Sequence, residues 1–191
     1  KMTAHHPDNA ATPHHRGVCV FFTGLSGSGK TTLASALDTH VRTESQRATT
    51  LLDGDMIRAN LSSELGFSRA HRNLNIQRIG FVASEVVKHG GLVIVSAIAP
   101  FDQARKAARQ LVTTWGRFYL VHLATPLQVC ESRDVKGLYA KARAGLLPGF
   151  TGVSDPYEAP TDADITIDTS LMSPQQAVTH IVDRLRTHGI I

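Results

Sequence analysis

The octapeptide Gly24-Leu-Ser-Gly-Ser-Gly-Lys30-Thr31 follows a short apolar run and precedes residues with helical periodicity. It matches the pattern G-x-x-x-x-G-K-[ST] in full, in the strand-then-helix context that this pattern needs. Its glycines let the backbone curl so that several amide groups point at one phosphate. The ammonium group of Lys30 can reach the outer phosphates, and the hydroxyl group of Thr31 can hold Mg²⁺. The octapeptide therefore predicts a binding loop for a nucleoside triphosphate such as ATP.

Strand and helix signals alternate along the chain. Apolar runs predict five buried strands, at Val18–Thr23, Ala48–Asp53, Leu92–Ala97, Arg117–Leu123 and Ala163–Asp168. Helical spacing of apolar residues predicts helices at about 30–42, 76–87 and 104–115, a short one after Pro126, and a last one that Ser173 caps. Because strands that alternate with helices form parallel sheets, we expect a three-layer α/β fold of the P-loop NTPase type, with a five-stranded parallel sheet and helices on both faces.

The amino-acid composition argues against several classes of protein. Apolar residues make up 42% of the 191 residues, enough for one folded domain. The longest apolar stretch, 91–99, is far shorter than the roughly 18 residues of a membrane span, and no secretory leader is visible. Two cysteines are too few for a disulfide framework, so a reducing, cytoplasmic location is expected. The net charge of +4 is spread along the chain with 6% aromatics, which disfavours nucleic acid as a partner.

The first residues of the chain, and one segment farther along it, lack the regular pattern of the rest. Residues 1–16 lack periodicity and predict a flexible N-terminal arm, whose histidine pairs have no further ligands to complete a metal site. Lys1 precedes Met2, which suggests a tag remnant or a domain cut from a longer polypeptide. Residues 17–191 are predicted to form the domain. Within it, the basic and weakly periodic segment 134–160, called the lid segment below, is typical of a mobile flap.

A second polar motif follows the second predicted strand. The sequence Asp53-Gly54-Asp55 brings two carboxylates to the carboxyl edge of the sheet, the edge at which the phosphate loop also lies. One carboxylate can order Mg²⁺, and the other can accept a proton from an attacking hydroxyl group. The third predicted strand carries no acid, so these two residues are the best candidates for that chemistry.

Together these motifs resemble the adenylylsulfate kinase (APS kinase) family. The matching segments are GLSGSGKTTLA (24–34), LDGDMIRANL (52–61), LGFSRAHRNLNIQRIG (65–80), RDVKGLYAKARAG (133–145), FTG (150–152) and YEAP (157–160). The resemblance implies ATP-dependent phosphorylation of the ribose 3′-hydroxyl of adenosine 5′-phosphosulfate (APS), giving 3′-phosphoadenosine 5′-phosphosulfate and ADP. It also implies Mg²⁺, a mobile lid, a homodimer, and fusion to or association with a sulfate adenylyltransferase.

The resemblance also assigns roles to residues. It implies Lys30, Asp53 and Asp55 as catalytic residues and Thr31 and Asp53 as metal ligands. The implied ATP contacts are Gly24, Leu25, Ser26, Gly27, Ser28, Gly29, Lys30, Thr31, Thr32 and Arg133. The implied APS contacts are Asp53, Asp55, Arg58, Phe67, Arg72, Asn75, Ile98, Ala99, Lys136, Gly149 and Phe150.

The residue types agree with those roles, although each has a simpler alternative. Arg58 and Arg72 can form forked hydrogen bonds to a phosphosulfate, or be solvated on the surface. Phe67 and Phe150 can sandwich an adenine, or pack in the core. Asn75 can bond to the sugar or a phosphate.

Four basic side chains in or beside the lid segment also have two possible roles. Arg133, Lys136, Lys141 and Arg143 can close over transferring phosphates or form a solvated helix face.

One position departs from the family pattern. Many members carry a serine that has been treated as a phosphorylated intermediate, where this chain has Ala99 before Pro100. Alanine has no hydroxyl group, so a phosphoserine route through this position is closed, whereas direct in-line transfer needs only Mg²⁺, Lys30 and a base. Ser96 is not expected to substitute, because strand alternation would turn it to the opposite face.

Two other functions stay open at this point. A catalytically silent domain of this family would bind the adenylyl sulfate product without transferring phosphate, and a degraded phosphate loop would mark it. A kinase for another small metabolite would leave the two phenylalanines without a purpose. The intact Lys30, Thr31, Asp53 and Asp55 favour an active APS kinase.

Overall fold

The computed structural model describes residues 16–45 and 47–191, so nearly all of the predicted N-terminal arm lies outside the described residues. The described residues form one sheet in the order β2-β3-β1-β4-β5, and every pair of neighbours is parallel. The strands are β1 Val18–Gly24, β2 Thr49–Asp53, β3 Leu92–Ser96, β4 Arg117–Leu123 and β5 Ile165–Ile167. The predicted α/β fold with a five-stranded parallel sheet is confirmed.

Seven helices connect and cover these strands within the described residues. They are α1 Lys30–Glu44, α2 Gly54–Asn60, α3 Arg69–Lys88, α4 Asp102–Thr113, α5 Leu127–Arg133, α6 Leu138–Arg143 and α7 Pro174–Thr187. The predicted start of the last helix is confirmed, because Ser173 and Gln176 form a reciprocal capping box. The short helices α2 and α6 were not predicted. None of the helices in the described part of the chain has the length and apolarity to cross a membrane.

The hydrophobic core is divided by the sheet into two layers. Val20 and Phe22 of β1 pack on one face with α1 and α7, whereas Cys19 and Phe21 pack on the other face with α3 and α4. All seven residues of β1 are buried. A strand covered on both faces is apolar at nearly every position, which is why this run lacks alternation.

The carboxyl ends of the neighbouring strands β2, β3 and β1 lie at one edge of the sheet. Asp53 at the end of β2 pairs in register with Ser96 of β3, which pairs with Phe22 of β1. The expectation that alternation separates Ser96 from Ala99 does not apply, because β3 ends at Ser96 and the chain then leaves the strand. Ala99 has a φ of 45°, in the left-handed region. Ser96 itself is buried in the sheet.

Candidate active site

The phosphate loop joins β1 to α1 and leaves the first turn of the helix open to an anion. Gly27 and Gly29 have φ angles of 78° and 98°, which only glycine adopts without strain. A Cβ on Gly27 would lie 2.9 Å from the carbonyl oxygen of Cys130, so a larger residue would not fit. Gly29 occupies the N-cap, and no side chain in the described part of the chain caps α1. The free amides of this turn suit a phosphate group.

Lys30 is a cation held inside this loop. Its side chain is almost fully buried, and its Nζ donates a 2.7 Å hydrogen bond to the carbonyl oxygen of Leu25. Burial lowers the pKa of Lys30 to about 8, and the nearby Cys130, Asp53 and Asp55 oppose this effect only in part. A phosphate group that replaced the carbonyl oxygen as partner would favour the charged form further and raise the pKa of Lys30.

Asp53 is fixed at the end of β2 by two hydrogen bonds. Its Oδ2 accepts a 2.8 Å bond from the hydroxyl group of Thr31, and its Oδ1 accepts a 3.1 Å bond from the backbone amide of Asp55. The second bond makes Asp53 the N-cap of α2. The sequence contained a signal for this helix, namely an aspartate cap followed by a second acid in the first turn. The carboxylate and hydroxyl oxygens are the kind of ligands that Mg²⁺ prefers.

Asp55 stands apart from this fixed pair. Its side chain is 78% exposed, and its carboxylate pairs with the ammonium group of Lys136 from the lid segment. An exposed carboxylate beside the phosphate loop has room for an acceptor hydroxyl group. The contact with Lys136 brings the lid segment to the same edge of the sheet.

Two side chains, Arg133 just before the lid segment and Tyr139 within it, bind to the phosphate loop. Arg133 donates a 3.0 Å hydrogen bond to the carbonyl oxygen of Gly27 and a 2.9 Å bond to the hydroxyl group of Thr169. The buried Tyr139 donates a 2.7 Å bond to the carbonyl oxygen of Ser26. Sequence reasoning assigned no role to Tyr139 or Thr169, although Tyr139 lies in a quoted segment of the resemblance.

The other predicted contacts of ATP vary in exposure. Ser28 is buried and its hydroxyl group has no partner among the described residues, whereas Thr32 is exposed on α1. Farther along the lid segment, Arg143 forms two hydrogen bonds, of 2.7 and 3.0 Å, to the carboxylate of Glu131, and Lys141 is exposed. Arg143 therefore lies on an ion-paired helix face and does not point at the loop.

Phe67 and Phe150 lie outside both core layers. Phe67 is 66% exposed, and the guanidinium group of Arg58 lies 4.7 Å from its ring centroid. Arg58 also donates hydrogen bonds to the carbonyl oxygens of Leu65 and Gly66. Phe150 is half-buried and meets the ring of Tyr139 edge-on at 5.1 Å. Neither ring belongs to either core layer, and their role in sandwiching an adenine stays a prediction.

Arg72 is buried, and its guanidinium group is occupied by the lid segment. It donates hydrogen bonds of 3.2 Å to Thr151 Oγ1 and 2.9 Å to Asp155 Oδ2, and a further bond to the carbonyl oxygen of Gly149. The expected forked hydrogen bonds to a phosphosulfate stay a prediction, because the described contacts bind these donors to the protein.

Three other predicted contacts of the acceptor are buried or half-buried. Asn75 is buried, and its Oδ1 has no partner within the described ranges, so it can accept a hydrogen bond from a ligand. Ile98 is half-buried. The buried Ala99 presents its carbonyl oxygen to Arg105 of α4.

Comparisons with known proteins agree with this geometry. A family model described as adenylylsulphate kinase matches residues 16–168. The chain is 52% identical over 176 residues to a sulfate adenylyltransferase of Aspergillus oryzae, across 92% of this chain and 31% of that relative. The chain thus spans about a third of the length of the curated relatives it matches.

Solved structures extend the comparison. The APS kinase of Mycobacterium tuberculosis, in complex with AMPPNP and APS, is 40% identical with a TM-score of 0.85, over 90% of this chain and 99% of that one. A hexameric APS kinase from Thiobacillus denitrificans is 38% identical with a TM-score of 0.72, over 93% of this chain and 30% of that one.

Proposed function

The chain belongs to the adenylylsulphate kinase family, and we propose that it transfers the γ-phosphoryl group of ATP to the ribose 3′-hydroxyl group of APS. The products are 3′-phosphoadenosine 5′-phosphosulfate and ADP. The observation that carries this proposal is the hydrogen bond from Thr31 to Asp53 beside the buried Lys30. A complete phosphate loop is thereby joined to a carboxylate at the edge where an acceptor can approach.

Thr31 and Asp53 would hold a Mg²⁺ ion. The donor set fits, since both oxygens are already 2.8 Å apart at the mouth of the loop, and hard oxygen ligands are what this cation prefers. When bound, Mg²⁺ neutralises charge on the β- and γ-phosphate oxygens. Asp53 is the better candidate for this role than Asp55, because its two hydrogen bonds fix its position.

Lys30 and the amides of the loop orient the triphosphate, and Asp55 accepts the proton. In the transfer, the 3′-oxygen of the acceptor forms a bond to the γ-phosphorus atom, and the bond from that atom to the bridging oxygen breaks, leaving ADP. The exposed carboxylate of Asp55 takes the proton of the 3′-hydroxyl group. Lys136, which pairs with Asp55, brings a second cation near the transferring group.

The acceptor site consists of groups that match adenosine phosphosulfate. The exposed ring of Phe67, backed by Arg58, offers a face for the adenine, and Phe150 offers the second face. The Oδ1 of Asn75, which has no partner among the described residues, can accept a hydrogen bond from the sugar. Arg72 would reach a phosphosulfate only by giving up bonds to the lid segment, which links acceptor binding to the position of that segment.

The proposal extends to the bounds of the domain, the role of the lid segment, the partners and the location of the protein. Residues 17–191 form the kinase domain and the lid segment closes over the loop during transfer, as its contacts from Lys136 and Tyr139 support. Fusion to or association with a sulfate adenylyltransferase is supported by the curated relatives, of which this chain spans 31%. The expected homodimer stays a prediction, and one of the similar APS kinases is hexameric. The two buried free cysteines support a cytoplasmic location.

The alternative is a domain that binds adenylyl sulfates without turnover. ADP release measured with ATP, Mg²⁺ and APS separates the two functions, with the Lys30→Ala variant as the reference for a disabled loop. An active kinase releases ADP only when APS is present, and the variant does not. Tight binding of APS by the wild type without release of ADP would support the silent domain.

A further inference from the structure

Arg105 on α4 is a buried cation that binds two carbonyl oxygens from separate segments. Its side chain is 2% exposed. Nη1 donates a 2.7 Å hydrogen bond to the carbonyl oxygen of Ala99, and Nη2 donates a 2.6 Å bond to that of Glu158. Its carboxylate contact, to Asp102 Oδ1, is longer at 3.5 Å, and Asp102 lies closer to Lys106, at 2.6 Å. The guanidinium group therefore acts mainly as a bridge between two backbone segments.

The first of these segments is the turn after β3, on the acceptor side of the site. Ala99 adopts a φ of 45°, a left-handed conformation that is unfavourable for a residue other than glycine, so contacts must hold it there. The hydroxyl group of Thr23 donates a 2.6 Å bond to the carbonyl oxygen of Ile98 in the same turn. The turn begins directly after Ser96, which pairs in register with Asp53. A shift of this turn would displace the acceptor beside that carboxylate.

The second segment is the end of the lid segment. The backbone amide of Glu158 donates a 2.8 Å bond to the carbonyl oxygen of Pro100, and its Oε2 accepts a 2.8 Å bond from the amide of Asp102. The hydroxyl group of Tyr157 lies 2.9 Å from that of Thr23. Since the one proton of Thr23 goes to the turn after β3, Tyr157 is the donor in this pair. The lid segment thus ends against the same turn.

We propose that Arg105 and Tyr157 are positioning residues that fix the turn at Ile98 and Ala99 to the end of the lid segment, and so set the geometry of the acceptor site. This inference rests on the proposed function. Neither side chain needs to touch the acceptor, because Arg105 acts through the carbonyl oxygen of Ala99 and Tyr157 acts through Thr23. A planar guanidinium group bridges two carbonyl oxygens at fixed separation, which the single ammonium group of lysine does not reproduce.

If Arg105 positions the acceptor site, its loss should impair the use of APS and not the use of ATP. Misplacement of a positioning group by a fraction of an ångström weakens use of the substrate it aligns. Neither Arg105 nor Tyr157 takes part in the contact of Lys30 with Leu25 inside the ATP loop. Loss of Arg105 should therefore raise the KM for APS and leave the KM for ATP unchanged.

Initial rates of the full chain with each substrate varied in turn test this inference. For Arg105→Gln and Arg105→Lys we expect the KM for APS to rise about tenfold and that for ATP to stay within about twofold. Tyr157→Phe should give a smaller rise of about threefold for APS alone. Arg109→Gln is the matched control, because Arg109 lies one turn later on α4 and bonds to Asp162, away from the turn.

Unchanged KM values in Arg105→Gln, equal rises for both substrates, or full rescue by lysine would overturn the inference. If Arg105→Gln does not fold, Tyr157→Phe carries the test by the same criterion. Hydrogen exchange without substrates supplies an independent readout, since the amide of Glu158 should exchange faster in Arg105→Gln than in Arg109→Gln. Failure of the wild type to turn over APS would contradict the proposed function, whereas unchanged exchange would contradict the bridge itself.

Discussion

The hydroxyl group of Thr31 donates a 2.8 Å hydrogen bond to Oδ2 of Asp53, which joins the first turn of α1 to the last residue of β2. Thr31 follows the loop that leaves β1, and Asp53 ends β2; these two strands are separated in the sheet by β3. The bond holds the two oxygens close together, and it is the contact on which the proposed chemistry depends most.

Replacing Thr31 by valine should raise the Mg²⁺ concentration needed for half-maximal rate. The variant removes one oxygen ligand and leaves Asp53 without its partner, so we also expect kcat to fall on the order of a hundredfold. A Mg²⁺ titration of the rate measures both effects. Thr39→Val is the control, because the hydroxyl group of Thr39 bonds within α1, to the carbonyl oxygen of Ser35. Equal Mg²⁺ dependence in the two variants would argue against the metal site.

Lys30 should make the free protein less stable at neutral pH than above pH 8. Its pKa is lowered to about 8 by burial, whereas in the unfolded chain it is about 10.4. At pH values between these two pKa values, Lys30 binds more protons in the unfolded chain than in the folded protein, so the free energy of unfolding rises with pH. Lys30→Met removes this contribution and should be more stable than the wild type at pH 7, by about 3 kcal/mol at most.

Urea unfolding at several pH values between 7 and 10 checks this expectation. The difference between Lys30→Met and the wild type should shrink as the pH rises above 8. Lys141→Met, at an exposed position, should follow the wild type throughout. A difference that is the same at every pH would mean that the buried ammonium group is not what limits stability.

Phe67→Ala should weaken the use of APS and leave the use of ATP unchanged. Stacking on a base contributes about 1–3 kcal/mol, so the KM for APS should rise about 5- to 100-fold. Phe81→Ala is a matched control, because Phe81 is also exposed, at 58%, but lies on α3 outside the proposed acceptor set. Equal effects of the two variants on the KM for APS would exclude the stacking role.

Incubation with ATP and Mg²⁺ should leave the mass of the protein unchanged. Ala99 has no hydroxyl group, and Ser96 is buried within β3, so neither provides an acceptor for a covalent phosphate. Intact-mass spectrometry before and after incubation measures this directly. A stable addition of one phosphate group at any residue would show that direct transfer is not the whole mechanism.

The sequence was most informative where a local rule determines the structure. The apolar run of β1, the glycines of the loop and the capping box at Ser173 each act within a few residues, and each was predicted. The short helix α2 was missed because its seven residues carry too little periodicity, and only Asp53 as an N-cap signals its start.

Contacts between segments that are far apart in the chain could not be predicted from the sequence. Arg72 was expected to bind a ligand, but its donors lie against residues of the lid segment about 80 positions away, which no pattern in either stretch indicates. The bridge made by Arg105 is of the same kind. The residue types of the site were thus predictable, whereas their partners depend on tertiary packing.

The most direct test of the central claim is the reaction itself. The wild-type protein is incubated with ATP, Mg²⁺ and APS, ADP is quantified, and the nucleotide product is identified by phosphorus NMR. The account predicts that each ADP released matches one adenosine phosphosulfate that has gained a phosphate on its ribose 3′-oxygen. Tight binding of APS with no ADP formed, or turnover with a different hydroxylated acceptor and none with APS, would contradict it.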